Sequence, residues 1–286
     1  MYKSKKFSYD YDEYETEGKS VETMGEDILN DEEFEELEEL IVGDWGDSWE
    51  DSIQPFLDFI VDHAERFSHI KSLFIGAMEF DECEVSWIIQ GNYEKLLNAL
   101  PNLKRLTIKG STDLELGKIS HENLKRLTII CGGLPSHVIK SIETAYLPNL
   151  EELCLYLGIE DYGFDGSIDT IRSLLENSDF PKLKSLGILD SEIQDEVTEI
   201  VLESKYIHTI KQLGLSCGTL SDRGGQLLLE KLPSLPNLES IDLSWHYMSS
   251  EMMEKLDRLG LAIDMDDQQE EEEYDGETWR YPMLTE

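Results

Sequence analysis

One phrase, apolar-x-x-apolar-x-apolar, recurs along almost the whole chain. It reads Leu37-Leu40-Val42, Ile70-Leu73-Ile75, Leu103-Leu106-Ile108 and Leu124-Leu127-Ile129. It continues as Leu150-Leu153-Leu155, Leu183-Leu186-Ile188, Ile210-Leu213-Leu215 and Leu238-Ile241-Leu243. From Leu73 to Ile241 the mean period is 28 residues, with steps from 21 to 33. Side chains alternate along a strand, so the fourth and sixth positions of the phrase face one side. So short a strand cannot bury that side alone, and consecutive phrases must stack into one contiguous core. The pattern predicts an α/β solenoid with seven or eight strands. Its curved parallel sheet lies on the concave side, with helices and extended segments on the convex side.

The segments between phrases read as helices in several repeats. After Leu220, Ser221 or Asp222 is a fair N-cap, Leu227, Leu228 and Leu232 form an apolar face, and Pro233 closes the helix. Similar helical spans are predicted over 167–177, 193–206 and 249–259. The turns into the strands read Leu-Pro-Asn-Leu at 100–103 and 147–150 and Phe-Pro-Lys-Leu at 180–183. Proline there keeps a helix from running on. The expected organisation is an acidic, partly disordered segment over 1–36, a solenoid over 37–263 whose first part (37–69) is a capping repeat, and an acidic tail over 264–286.

The chain resembles leucine-rich-repeat proteins, and its units are similar to those of the ribonuclease-inhibitor-like subclass. More narrowly, it resembles a family of bacterial cytoplasmic leucine-rich-repeat proteins of unknown biochemical function. The matching pieces are FDECEVSWIIQ (80–90), GGL (132–134), LYLGIEDYG (155–163) and WRYPMLTE (279–286). Some relatives are similar to molybdate-metabolism regulators that join such repeats to a WGR domain. No WGR segment is recognisable here, so that role does not carry over. The resemblance implies Asn or Cys at position nine of each unit. This chain instead has Met78, Ser111, Gly132, Gly158, Ser191, Gly218 and His246, so the polar ladder is expected to be missing and tight turns to take its place.

Charge narrows the function. The 286 residues hold 62 acids against 24 Lys and Arg, a net charge of -38, which argues against a nucleic-acid partner. Residues 10–51 carry 19 acids against Lys19, and residues 264–286 carry 10 against Arg280, so the excess gathers at the ends. The start has lysines but no apolar run after them, and no stretch approaches the ~20 apolar residues of a membrane span. The four cysteines are far apart, without zinc or redox spacing, so a cytoplasmic setting with free thiols is expected.

Neither the histidines nor the glycines form a catalytic or phosphate-cradling motif, so no enzyme activity, cofactor or metal is expected. His121 and His137 read as turn or surface residues. Asp81, Glu82 and Glu84 read as a helix start, with Trp87 packed in the core. The outward positions of the phrases place Arg105, Lys109 and Arg126 in a basic spot. Thr128 sits among them, and Ile130, Tyr156, Leu157, Leu189 and Trp245 offer apolar surface. Tyr, Trp and Arg are favoured at interfaces. The expected function is a non-catalytic protein-interaction scaffold binding a partner through its concave face. The alternatives are an activator of a nucleotide-hydrolysing enzyme and an acidic module for basic proteins. The sequence fixes neither the partner nor the oligomeric state.

Overall fold

A computed structural model of the chain describes residues 2–274 and 277–284. Each phrase forms a strand: β2 (Glu39–Trp45), β3 (Ser72–Ile75), β4 (Arg105–Lys109), β5 (Arg126–Ile130) and β6 (Glu152–Gly158), preceded by β1 (Ser4–Tyr9). The run ends with β7 (Ser185–Ser191), β8 (Gln212–Gly214), β9 (Ser240–Asp242) and β10 (Ala262–Asp264). These ten strands form one parallel sheet in sequence order. The third position stays in register throughout, so Arg105, Arg126, Glu152, Ser185, Gln212 and Ser240 form one column. The fourth and sixth positions point inward as expected: Leu106, Ile108, Leu127, Ile129, Leu153, Leu155, Leu186 and Ile188 are all buried.

The return segments hold α1 (Tyr11–Glu17), α2 (Val21–Leu29), α3 (Gln54–Asp62), α4 (Ala64–Phe67) and α5 (Glu94–Ala99). They continue with α6 (Ser136–Glu143), α7 (Ile168–Asn177), α8 (Gln194–Glu203), α9 (Asp222–Lys231) and α10 (Ser250–Asp257). Successive helices pack on one another from α6 to α10, forming a second layer behind the sheet. The predicted N-cap at Ser221 is present, and two further helices are capped. Ser221 accepts from the Arg223 N–H and Ser249 from the Met252 N–H, while Ser167 closes a capping box with Thr170.

Two turns repeat along the edges. Before the strands, Asn102, Asn123, Asn149 and Asn237 each donate a side-chain N–H to a carbonyl of the preceding repeat, at 2.6–2.9 Å. At or just past the C-terminal ends of the strands, Asp190, Cys217, Trp245 and Asp267 all adopt positive φ, between 56° and 66°. Each such left-handed residue with a side chain costs about 1–2 kcal/mol, which the stacked repeats must hold in place. The position-nine ladder is not wholly missing. Ser111 donates to the Gly133 carbonyl, Ser191 accepts from the Ile193 N–H, and His246 Nδ1 accepts from the Met248 N–H.

Both ends differ from expectation. Residues 4–36 are not a disordered segment: β1 pairs with β2, and Val21, Met24, Ile28 and Phe34 are buried. The first repeat therefore precedes the expected cap. The apolar phrase is absent there because the inward position of this edge strand holds Lys5, paired with Asp31 at 2.7 Å. A charge at the open end of the stack discourages further strand addition. The tail expected from 264 begins on the last residue of β10 and then forms a hairpin of β11 (Glu272–Tyr274) and β12 (Glu277–Trp279). Residues 1, 275–276 and 285–286 of these end segments lie outside the described residues.

Met24→Ala is expected to cost about 2–5 kcal/mol in denaturant unfolding, the range for emptying a buried methionine site. A cost near zero would return residues 1–36 to a disordered segment. Leu153→Asp should cost about 3–5 kcal/mol and the outward Glu152→Ala about 0.5 or less. The reverse order would shift the strand phase by one residue.

Candidate functional site

The outward side chains of the sheet do not form one continuous patch. Arg105 stacks on the Tyr2 ring, 4.2 Å from its centroid, and lies 3.9 Å from Glu39. Arg126 pairs with Glu152 at 3.2 Å, and Lys109 donates to the Met78 carbonyl at 2.5 Å. Arg105 and Arg126 nevertheless line one 340 Å³ pocket with Lys104, Lys125, Lys184 and Tyr2. Inside it Glu151 bridges Lys125 and Lys184, both at 2.7 Å, and those two ammonium groups hold its carboxyl down to about 2. Of the three expected bases, Arg105 and Arg126 share this pocket and Lys109 does not, and each is engaged by a neighbouring group.

A larger groove of 760 Å³ opens over β6–β10. Its floor contains Gly187 and Gly214, and its walls carry Glu152, Asp242, Asp264 and Asp266. Leu189 lines it but is only 6% exposed, lying over the two glycines. Asp242 is fixed by Ser216 and Ser244, whose hydroxyls donate at 2.8 and 2.7 Å. Lys109, Thr128, Tyr156 and Trp245 line neither cavity. Thr128 and Tyr156 are half-buried on the sheet, where burial raises the Tyr156 hydroxyl. Leu157, expected to be outward, is fully buried, because β6 runs on to Gly158 and its alternation puts 157 on the same face as Leu153 and Leu155. The hollow itself went unpredicted. Its signal was the outward series Cys154-Gly187-Gly214 at position five, where bulk disappears.

The four family-like segments converge on the rim formed by the C-terminal ends of the strands. A Cβ placed on Gly132 would lie 3.4 Å from Tyr162 Cβ, 3.5 Å from the Leu284 carbonyl oxygen and 3.7 Å from Ser86 Cβ. Next to it, a Cβ on Gly158 would sit 1.7 Å from the Gly132 oxygen, so this close approach requires glycine at 158. Residues 281–284 run back across this rim. The Tyr281 N–H donates to the Tyr247 hydroxyl at 2.9 Å, the Met283 N–H to the Cys217 carbonyl at 2.8 Å, and the Leu284 N–H to Asp190 Oδ1 at 2.9 Å. Trp245 Nε1 donates to the Tyr281 carbonyl at 3.4 Å, so this tryptophan supports the strap. Burial raises the Asp190 carboxyl to about 8, partly offset by the strap N–H groups.

Nearer the N-terminal end of the rim, the structure corrects two expectations. Trp87 is 58% exposed rather than in the core, and Phe80 is 67% exposed. Asp81, Glu82 and Glu84 lie in turns, not at a helix start. With Trp49 and Cys83 these residues line a 340 Å³ pocket. The FDECEVSWIIQ segment has too few inward positions to bury both aromatic rings, because Cys83, Val85 and Ile88 already fill the core side.

His121, expected in a turn or on the surface, is buried, and so is His246. His121 Nδ1 accepts from the Leu124 N–H at 2.9 Å while Nε2 meets the Leu100 carbonyl at 3.0 Å, and burial lowers the pKa of each ring. His137 is half exposed, its Nε2 3.6 Å from Glu115. Among the described residues no group of His, Cys, Asp and Glu could hold a metal ion, and no helix is long and apolar enough to cross a membrane.

Asp190 gives a pH test of the strap. Folded, it keeps its proton to about 8, whereas an unfolded aspartate ionises near ~4. Between these values the folded chain holds a proton that the unfolded chain releases, so wild-type stability falls as pH rises. Relative to wild type, Asp190→Asn should gain by at most ~1.4 kcal/mol per pH unit across that window and level off above it. Denaturant unfolding over the pH range reads this, and a pH-independent difference would mean that Asp190 ionises freely.

No family model matches the chain, and no curated protein matches it. Among solved structures, the crystal structure of a Bacteroides fragilis protein, a structural-genomics target, is 40% identical with a TM-score of 0.89. The match covers 98% of this chain and 77% of that one. The likeness carries kinship and fold and assigns no activity. The chain belongs to the same family as this Bacteroides fragilis protein.

Proposed function

We propose that this protein is a leucine-rich-repeat scaffold of the ribonuclease-inhibitor-like kind that binds a protein partner through its concave face, without catalysis, in a cytoplasmic setting. The observation that carries the reading is the 760 Å³ groove over β6–β10, floored by Gly187 and Gly214. Stacked repeats present such a sheet as an extended working surface. A peptide segment can enter the hollow left where position five loses its side chains, resting on Leu189 over the two glycines, and the acidic walls favour a partner segment carrying positive charge. The four cysteines are free thiols, in keeping with a reducing compartment.

An activator of nucleotide hydrolysis is the weaker reading. That role needs an arginine delivered to phosphate. Each of the seven arginines stands within 3.9 Å of a glutamate: Arg66, Arg105, Arg126, Arg172, Arg223, Arg258 and Arg280. Reaching a phosphate would first break one of those pairs.

Gln212 is exposed at the groove, so Gln212→Trp should obstruct it without changing the melting temperature. Affinity capture from native extract, read by mass spectrometry, should enrich a protein with wild type and lose it with this variant. Equal recovery from both would remove the groove from the proposal.

A further inference from the structure

Among the described residues, the exposed large apolar side chains are Tyr11, Phe80, Trp87, Tyr146, Trp279, Tyr281 and Met283. All but Tyr146 lie on segments leaving the C-terminal ends of strands, or on the hairpin and strap that return to them. Large exposed rings gathered on one edge mark an interaction surface more strongly than scattered ones. The rings near the N-terminal end are connected. Tyr11 lies 6.0 Å from Tyr14 and 5.6 Å from Trp49, and Trp49 shares its pocket with Phe80 and Trp87.

Carboxylates surround this row. Asp81, Glu82 and Glu84 line the pocket, and Lys6 at 3.3 Å from Glu82 offsets one of them. The hydroxyl pKa of Tyr11 is raised first by the charge of Glu15, and that of Tyr14 first by the charge of Asp51, so the field over the rings is negative. A ring face attracts a cation, and a flanking carboxylate adds to the attraction and accepts its hydrogen bonds.

We infer that the aromatic row Tyr11, Trp49, Phe80 and Trp87, with its flanking carboxylates, is a second binding site that takes an arginine- or lysine-rich segment of a partner protein. The guanidinium or ammonium groups sit over the ring faces, and the acids fix the register of the segment. Charge selects this occupant. Nucleic acid and anionic lipid surfaces are repelled by a chain of net charge -38. A second copy of the chain brings the same excess, and its basic stretch is already engaged. Lys3 pairs with Glu36 at 2.6 Å, Lys5 with Asp31 at 2.7 Å and Lys6 with Glu82 at 3.3 Å. The site is independent of the groove, because neither Phe80 nor Trp87 lines it.

The test must separate ring recognition from general attraction to an acidic chain. Fluorescein-labelled octa-arginine binds the full chain, read by anisotropy, with octa-glutamate as the control. Phe80→Ser combined with Trp87→Ser leaves the charge unchanged and should weaken octa-arginine binding about tenfold or more, at an unaltered melting temperature. Phe80→Tyr with Trp87→Tyr keeps ring faces and should retain most of the affinity. Gln212→Trp should bind like wild type. Equal binding by the double serine variant would show diffuse electrostatics and overturn the site, as would no binding by wild type. Loss with Gln212→Trp alone would move the peptide to the groove, supporting that reading and overturning this one.

Discussion

Everything in this molecule hangs on the in-register column of inward leucine and isoleucine side chains. Leu73, Leu106, Leu127, Leu153, Leu186, Leu213 and Ile241 stand opposite one another across consecutive strands. Each strand has only a few residues, so its apolar face is dry only when both neighbours are present. A one-residue slip would turn that whole set outward, which fixes the register of every other column as well. The outward positions are therefore placed by the inward ones. Groove, basic pocket and rim inherit their spacing from the core.

Electrostatics is then arranged around a solenoid that is acidic at both ends. The bases are spent mainly on internal pairing rather than left as a positive face. Lys71 meets Glu38, Lys125 and Lys184 share Glu151, and Lys211 meets Glu239, all along the edge where the strands begin. Such exposed pairs each contribute little to stability. Among the described residues the charge left outside such pairs is therefore mostly negative. A partner with basic character meets attraction over the groove and over the aromatic row alike, and selectivity must come from shape and rings.

The rim shows how distant segments acquire a common purpose. Ser86, Gly132, Tyr162 and Leu284 belong to four stretches separated by tens of residues, yet they meet around one glycine. The strap over 281–284 crosses the turns of several repeats and ends at the buried carboxyl of Asp190. It ties late repeats to earlier ones, a coupling that nearest-neighbour stacking does not supply. Three of its anchors, Asp190, Cys217 and Trp245, are turn residues that adopt positive φ, so the strap helps to hold conformations that would otherwise be costly.

The sequence by itself determined the α/β solenoid, the inward fourth and sixth positions, the strand phase and the helices over 168–177, 194–203, 222–231 and 250–257, because these follow from local periodicity. It also showed the family-like segments, but as four unrelated strings. Only the tertiary structure decided the rest. Residues 4–36 became a repeat because Met24 and Ile28 find neighbours that no local pattern names, and Lys5 hides the phrase at an edge strand. Arg105 and Arg126 looked like a free basic spot until Tyr2, Glu39 and Glu152 were brought to them. Trp87 looked like core until the inward places around it were filled by smaller residues. Periodicity tells which face a side chain takes. Who stands opposite that face depends on contacts between residues far apart in the chain, and only folding makes them.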